Sequence, residues 1–557
     1  MPIKRRTLLI GSAQLGTAAG AAAMLGGLPA PASAAPKGIW QEFTDNPFDH
    51  PQVPNVAYAG YRTGESLPRR EVHANALKYG AKNDGSADAS AAINKAIADV
   101  GAKGGGAVLL PAGRYRIDHI IQLGHSNVTL RGEGSDRTTL YAPHSLESIV
   151  GKNHDRYGSS TKSAWSWSGG LVWVCHRDRL HDLIDAIRHR RWPDEGWTGN
   201  KGDEGKAITT ISADASRGAF SITVADGGKL RPDQRVLLQL SDDREHSLLK
   251  HMCGDIPGAA TYPWAKKTKL LSLAPFVWPV RIAKVSGERV TLAQPLPLAV
   301  RGRWKPRLTT MCPIVTDSGV EGLTIEMVKT KRPRHLEDKG FNGLAFQCAW
   351  DCWADDVRVV NSDNGILLVS AKGVTLKRTR ISGRGQHHSY ACRHQSHDNL
   401  FDDFTIDAFT EKPTPGSIHH GVDVEGLSCG NVWSRGQMAA GTFDTHRALP
   451  FGNVRTEITI NNDGQHGGSD DAGPLYGARF THWNIEVTNK RAGCVKIDDV
   501  APYSATVGIS KVTNSGQIDK PDFSGPLRSR LEGYGDTSVK PANLYVAQRD
   551  LRHRRNG

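Results

Sequence analysis

Along this chain the apolar positions fall into short alternating or continuous runs far more often than onto helical faces. One helical pattern stands out near the front, where Ala92, Ile93, Ala96, Ile97 and Val100 share a face behind Asp88, a residue suited to an N-cap. Gly104, Gly105 and Gly106 end that helix, Ala107-Val-Leu-Leu110 reads as a buried strand, and Pro111-Ala-Gly113 turns the chain into Tyr115-Arg-Ile117. A short amphipathic helix that hands over to strands suits a cap on the open end of a β-stack.

From residue 319 onward, alternating strands closing on Asn, Ser or Gly repeat. Their predicted centres are Ile325, Val359, Ile381, Ile406, Trp433, Ile460 and Ile485, and after the first gap they are 22, 25, 27, 27 and 25 residues apart. Intervals of this length suit the turns of a parallel β-helix, with consecutive turns about 4.8 Å apart. Residues 145–310 differ in character. They hold eight of the 13 tryptophans, and the segments 218–224, 235–240, 280–285 and 289–292 read as antiparallel strands of an inserted small β-domain. The expected organisation is an export segment (1–34), a wrapping segment (35–75), the cap and first turns (76–144), the Trp-rich insertion (145–310), the main parallel β-helix (311–525) and a C-terminal cap with a basic tail (526–557). The basic stretch from Arg549 to Arg555 suits the end of a capping helix.

Tyr79-Gly-Ala-Lys-Asn-Asp-Gly-Ser-Ala-Asp88, the helix after it and the glycine-to-Ile117 segment together resemble the amino-terminal signature of the pectate-lyase superfamily. The resemblance implies an all-β, right-handed parallel β-helix, a single-stranded solenoid with an N-terminal capping helix, and a carbohydrate-active enzyme. Two branches of that superfamily are matched poorly. Asn461-Asn-Asp-Gly464, Gln465-His-Gly467, Ser469-Asp-Asp471 and Val495-Lys-Ile-Asp498 are similar to the polygalacturonase series, but the first three crowd together instead of spreading over separate turns. The Asp-rich calcium set of the calcium-dependent pectate lyases is missing.

Charge and termini narrow the setting. Lys4-Arg5-Arg6 before Thr7-Leu8-Leu9, a Gly/Ala-rich apolar stretch to Leu28 and the small residues Ala32-Ser33-Ala34 resemble a twin-arginine export signal, with an uncleaved membrane anchor as the alternative. Its removal takes the net charge from +13 to about +10. A basic secreted protein fits an acidic polysaccharide, although ordinary solubility would explain the charge as well. Nucleic acid is disfavoured, since no recognised binding module accompanies the charge, and no stable membrane association is expected after cleavage. The loop Lys329-Thr-Lys-Arg-Pro-Arg-His335 could grip a polyanion or simply be a solvated turn. Eight cysteines without zinc-type spacing read as packing groups or one or two bridges.

The chemistry concentrates between 387 and 466, which holds eight of the 22 histidines. Measured from the predicted centres 381, 406 and 433, His394, His419 and His446 fall at one phase and Gln395, His420 and Arg447 at the next. Asp398 with Asp423, and Asp444 with Asp471, share further phases. Equal phase on successive turns would stack these groups. Three readings follow. A lyase needs a base beside a uronate carboxylate and a cation to neutralise it, which selects His394, His419, His420, His446, Tyr390, Arg393 and Arg447, with Asp444 or Glu425 orienting an imidazole. A glycoside hydrolase would use a carboxylate pair from Asp398, Asp423, Glu425, Asp444, Asp470 and Asp471. An imidazole column could instead hold a divalent metal, although the sequence commits to no cofactor. Substrate contacts are expected from His387, His388, Asp423, Arg435, Trp192 and Trp197. The leading expectation is a secreted polysaccharide lyase acting by β-elimination. The alternatives are a hydrolase or glycan-transferring enzyme on the same scaffold and a non-catalytic glycan or cell-wall binding protein.

Overall fold

The computed structural model describes residues 37–153, 162–198, 205–268, 275–411, 413–513 and 519–556; the export segment 1–34 lies outside them. Among the described residues, two parallel sheets run side by side along a coiled chain. The longer has seventeen strands, from Val72–Asn75 to Arg530–Tyr534, and the second has eight, including Asn342–Trp350, Asn364–Lys372, His388–Arg393, Gly421–Val424 and Thr442–Thr445. The coils up to Thr442–Thr445 contribute to both, as in a parallel β-helix, whereas the last strands, Thr481–Val487, Ala505–Ile509 and Arg530–Tyr534, belong to the long sheet alone. The interior is a column of aliphatic side chains in register, Ile325 beside Val359, Val359 beside Ile381 and Ile381 beside Ile406.

The long sheet bends once per coil at a stacked position with left-handed backbone. Gly322, Asp356, Arg378, Asp403, Arg435, Glu457, Asn484, Gly508 and Gly533 all have φ between 49° and 66°. Strand pairing places them above one another, each following a register pair such as Lys377 with Asp402 or Ser434 with Thr456. A non-glycine residue pays for this conformation, and the repeated cost here gives every coil the same corner. At another corner, buried asparagines form a ladder, with Asn399 Nδ2 donating to Asn431 Oδ1 (2.9 Å) and Asn431 Nδ2 to Asn453 Oδ1 (3.0 Å). Each of these asparagines stands one residue before a strand of the long sheet, so they open strands where the sequence pattern suggests that Asn closes them.

The cap helix spans Ser90–Ala102 and buries Ile93, Ala96, Ile97 and Val100. Asp88 stands one residue before the cap position, where its carboxylate accepts from the Ser90 amide (2.9 Å) and hydroxyl (2.6 Å). Gly105, at φ 116°, passes so close to the next coil that a Cβ there would lie 2.4 Å from the Asn127 carbonyl. At the other end, helix Leu544–Asn556 packs with Ile39, Phe43 and Val56 of the wrapping segment against Trp483, Val454 and Val432.

The antiparallel sheet is present as six strands between Ala207 and Thr309. Its boundaries are narrower than 145–310, because Val172–Val174 is a rung of the second parallel sheet, pairing with Ile121–Leu123 on one side and Leu344–Phe346 on the other. The inserted sheet docks on the coil corner at 395–398: Gln395 Oε1 accepts from the Val277 amide (2.7 Å) and a His397 ring nitrogen meets the Val277 carbonyl (2.9 Å). All eight cysteines are buried and unbridged. No helix among the described residues is long and apolar enough to cross a membrane.

Candidate active site

Along the second sheet, a cavity of about 920 Å³ opens beside the coils that carry His388, His420 and His446, its lining running from His420 before strand Gly421–Val424 to Glu425 after it. These histidines reach it because a long loop, 407–420, enters one coil between the two sheets. It lengthens that coil so that Tyr390 pairs with Val422, 32 residues later, and then Val422 with Phe443, 21 later. The His388 and His420 rings stack at 4.7 Å between centroids and 12° between planes. Gly421 lets the next coil approach, since a Cβ there would meet the Thr442 carbonyl at 2.4 Å.

Asp444 is the hub beneath them. Its Oδ2 lies 3.1 Å from His420 Nδ1, 3.0 Å from His446 Nδ1 and 3.9 Å from His388 Nε2, and its Oδ1 accepts from the Gly467 amide at 2.7 Å. Burial works against its charge, but His420 and His446 hold the carboxyl well below its usual range. Burial drives the His388 imidazole well below its ordinary range, helped by its histidine neighbours; it also lowers His420, against the pull of Asp444. His446 is the member that reaches the cavity wall most openly, with its Nδ1 committed to Asp444.

The surrounding wall is cationic. Lys162, Arg190, Arg393, Arg447 and Lys520 line it, against the carboxylates of Glu425 and Asp519. Arg393 bonds to Glu425 and to the Trp167 carbonyl, and its guanidinium lies 5.1 Å from the Trp167 ring centroid. Trp167 also faces His446 at 5.0 Å and His387 at 5.2 Å. Burial lowers His466, yet Asp519, 3.7 Å away, pushes it up to about 10.

His335 enters from the basic loop. That loop is fastened by the buried Arg332–Asp338 ion pair, by Arg332 donating to the Ile418 carbonyl (3.2 Å) and by the His335 amide donating to Gly416 (2.9 Å). Burial takes the His335 imidazole down to about 4. Among the described residues, three sets of side chains bring one potential metal-ligating atom each to within 4.8 Å of one another: His388, His420, Asp444 and His446; His335, His387 and His420; and His466, Cys494 and Asp519. Imidazole-rich sets suit a transition ion and not calcium.

The structure thus gathers His387, His388, His420, His446, Asp444, Asp423, Arg393 and Glu425 into one neighbourhood, with His394 and Arg447 on its wall. Arg447 is tethered there, donating to the Gly468 and Gly473 carbonyls and to Asp522. Other expected residues lie elsewhere. Tyr390 points into the solenoid core, edge-on to Phe401 and Phe404, with its hydroxyl 3.0 Å from Thr379 Oγ1. His419 packs on Phe409 and sits 3.5 Å from Asp463, outside the cavity lining. Arg435 occupies a bend of the long sheet and pairs with Asp402. Trp197 is buried, donating to the Gln395 carbonyl (2.8 Å), so it fills a core instead of stacking on sugar; the Trp192 side chain lies outside the described residues. Asp398 is bonded to Lys372, Asp470 to Lys267 and Asp471 to Ser469, none of them in the lining.

Several wall residues went unselected in the sequence. Trp167 was visible as one of the insertion tryptophans and His335 as the end of the basic loop, but only the tertiary fold brings them to the histidines. Lys162, Arg190, Asp519 and Lys520 carried no local signal.

Residues 73–186 match the family model described as rhamnogalacturonase A/epimerase, pectate lyase-like. No curated protein matches the chain. Similar solved structures include the tailspike protein gp49 from Pseudomonas phage LKA1, at 11% identity over 83% of this chain and 77% of that one (TM-score 0.41). The Azotobacter vinelandii mannuronan C-5 epimerase AlgE6 A-module is 12% identical over 83% of this chain and 98% of that one (TM-score 0.32). The Yersinia enterocolitica family 28 exopolygalacturonase is 11% identical over 83% and 78% (TM-score 0.31).

Proposed function

We propose that this chain, a parallel β-helix of the pectate-lyase-like superfamily, is a carbohydrate-active enzyme that cleaves a uronate-containing polysaccharide by β-elimination. The observation that carries the reading is the His446–Asp444 pair at 3.0 Å, set in the wall of a cavity whose charged groups are mostly cations. A buried carboxylate on Nδ1 fixes the imidazole tautomer and leaves Nε2 to act as a base. In the proposed step His446 takes the proton beside the uronate carboxylate. That C–H electron pair becomes the new ring double bond, the glycosidic C–O bond breaks, and its oxygen leaves with a proton handed on by the His446 imidazolium, which restores the base. The cationic wall, Lys162 and Lys520 within it, offsets the charge that builds on the carboxylate as the proton departs.

Hydrolysis would call for two open carboxylates on either side of the bond. Here Glu425 is engaged by Arg393, Asp444 is sealed under imidazoles, and Asp519 faces His466. Trp167, half-buried at the cavity wall, offers a ring for a sugar face. Ultraviolet absorbance during incubation with acidic polysaccharides tests the reading, because only elimination creates a conjugated double bond. The proposal also holds that the mature enzyme acts outside the cell after loss of residues 1–34, which amino-terminal sequencing of protein from culture medium tests.

A further inference from the structure

Beside the Asp444 hub lies a second grouping that the elimination chemistry does not use. His335, His387 and His420 bring one ring nitrogen each to within 4.8 Å of one another. In all three, Nε2 is buried and has no hydrogen-bond partner. A buried polar atom left unsatisfied is destabilising, so three such nitrogens in one histidine cluster call for an explanation.

The opposite nitrogens of His387 and His420 supply it. His387 Nδ1 lies 3.1 Å from the Ser166 carbonyl and 3.5 Å from Asp338 Oδ2. His420 Nδ1 lies 2.8 Å from the Gln465 carbonyl and 3.1 Å from Asp444 Oδ2. A carbonyl or carboxylate that takes the Nδ1 proton forces the lone pair onto Nε2, and this outer arrangement accompanies metal-ligating histidines. The Asp444 set is less suited, because its carboxylate is already engaged by the Gly467 amide and by the Nδ1 atoms of His420 and His446.

We propose that His335, His387 and His420 bind a divalent transition ion of the zinc class through their Nε2 atoms. An all-nitrogen set selects such an ion over calcium or magnesium. His335 and His420 line the cavity, whereas His387 closes the site from behind, so the remaining coordination position faces the cavity. Three protein ligands with an open fourth position is the arrangement of a reactive rather than a sealed metal site. That position would take a water or an oxygen of the bound glycan. The inference stands on the nitrogen geometry and does not require the elimination reading.

The test is metal binding by untagged protein stripped with chelator, followed by titration with zinc and, in parallel, cobalt and calcium. One zinc per chain is expected, with a matching cobalt visible spectrum and no competition from calcium. His335→Ala, on a half-buried loop residue, should stay folded by circular dichroism and weaken zinc binding about a hundredfold. His387→Ala should do the same where it folds, and His446→Ala should keep its zinc. Folded wild-type protein that takes up no stoichiometric zinc would overturn the inference. So would zinc that survives His335→Ala, or that leaves with His446→Ala alone, since either places the ion on another set.

Discussion

Asp423 and Asp444 are direct register partners on successive coils, both wholly buried, and their surroundings push the two carboxyls in opposite directions. Burial, with repulsion from Asp444 and Glu425, raises the Asp423 carboxyl well above its usual range, whereas His420 and His446 hold Asp444 well below. Two stacked carboxylates cannot both ionise away from water, and the imidazoles decide which one does. Asp423 is then a neutral spacer that accepts the His446 amide at 3.1 Å. Asp423→Asn should change stability by no more than about 1 kcal/mol and leave most activity intact. Asp444→Asn should lower kcat at least about a hundredfold while the fold persists. Equal losses from the two substitutions would contradict this division.

Tyr390 separates the structural account from a reading of composition alone. Its ring is core packing and its hydroxyl meets only Thr379. Tyr390→Phe should therefore cost about 1 kcal/mol of stability and no activity. Loss of turnover without loss of stability would return Tyr390 to the chemistry.

Trp167 joins the cation wall to the histidines, 5.1 Å from the Arg393 guanidinium and 5.0 Å from the His446 ring. Removing it should weaken substrate binding more than it slows the chemical step. Trp167→Ala is expected to raise KM about tenfold or more, with Trp167→Phe intermediate. A pure kcat effect would point to displacement of His446 instead.

Glu195 gives a pH signature separate from catalysis. Its side chain is buried, accepts from Ser168 Oγ at 2.7 Å, and burial raises its carboxyl from 4.5 to about 7. A raised carboxyl costs nothing below its unfolded value, and the penalty accumulates as pH climbs from there through about 7. The full penalty is on the order of 3 kcal/mol. Glu195→Gln should raise the thermal midpoint at pH 8 and leave it unchanged at pH 4. Melting curves across that range check the sign, and a mutant less stable at pH 8 would show that the charge is used.

Most of the coil was legible in the sequence because its register rests on the aliphatic column: Ile325, Val359, Ile381 and Ile406 do stack in order. The register departs from the even spacing at the next coil. Ile406 pairs with Met438, whereas Trp433 pairs with Phe401, so the predicted centre was five residues early. The long 407–420 loop causes the slip and carries through to the site. His394, His419 and His446 do not stack, and neither do Asp398 with Asp423 or Asp444 with Asp471. The real columns run through Ala391, Asp423 and Asp444 in one row and through the stacked rings of His388 and His420 in another. Local pattern cannot report how many residues a polar loop adds to a coil, and the site is built where that number changes. The tryptophans illustrate a different limit. Trp165, Trp173, Trp197, Trp278 and Trp304 are wholly buried, and only burial tells them apart from Trp167.

The central claim is elimination driven by His446 on an acidic glycan. The direct measurement is ultraviolet absorbance of the purified mature protein with a panel of uronate polysaccharides, run beside His446→Ala. The account predicts rising absorbance with wild type on at least one polymer and a loss of about a hundredfold or more in the folded variant. New reducing ends without any absorbance change, or full elimination activity in His446→Ala, would contradict it.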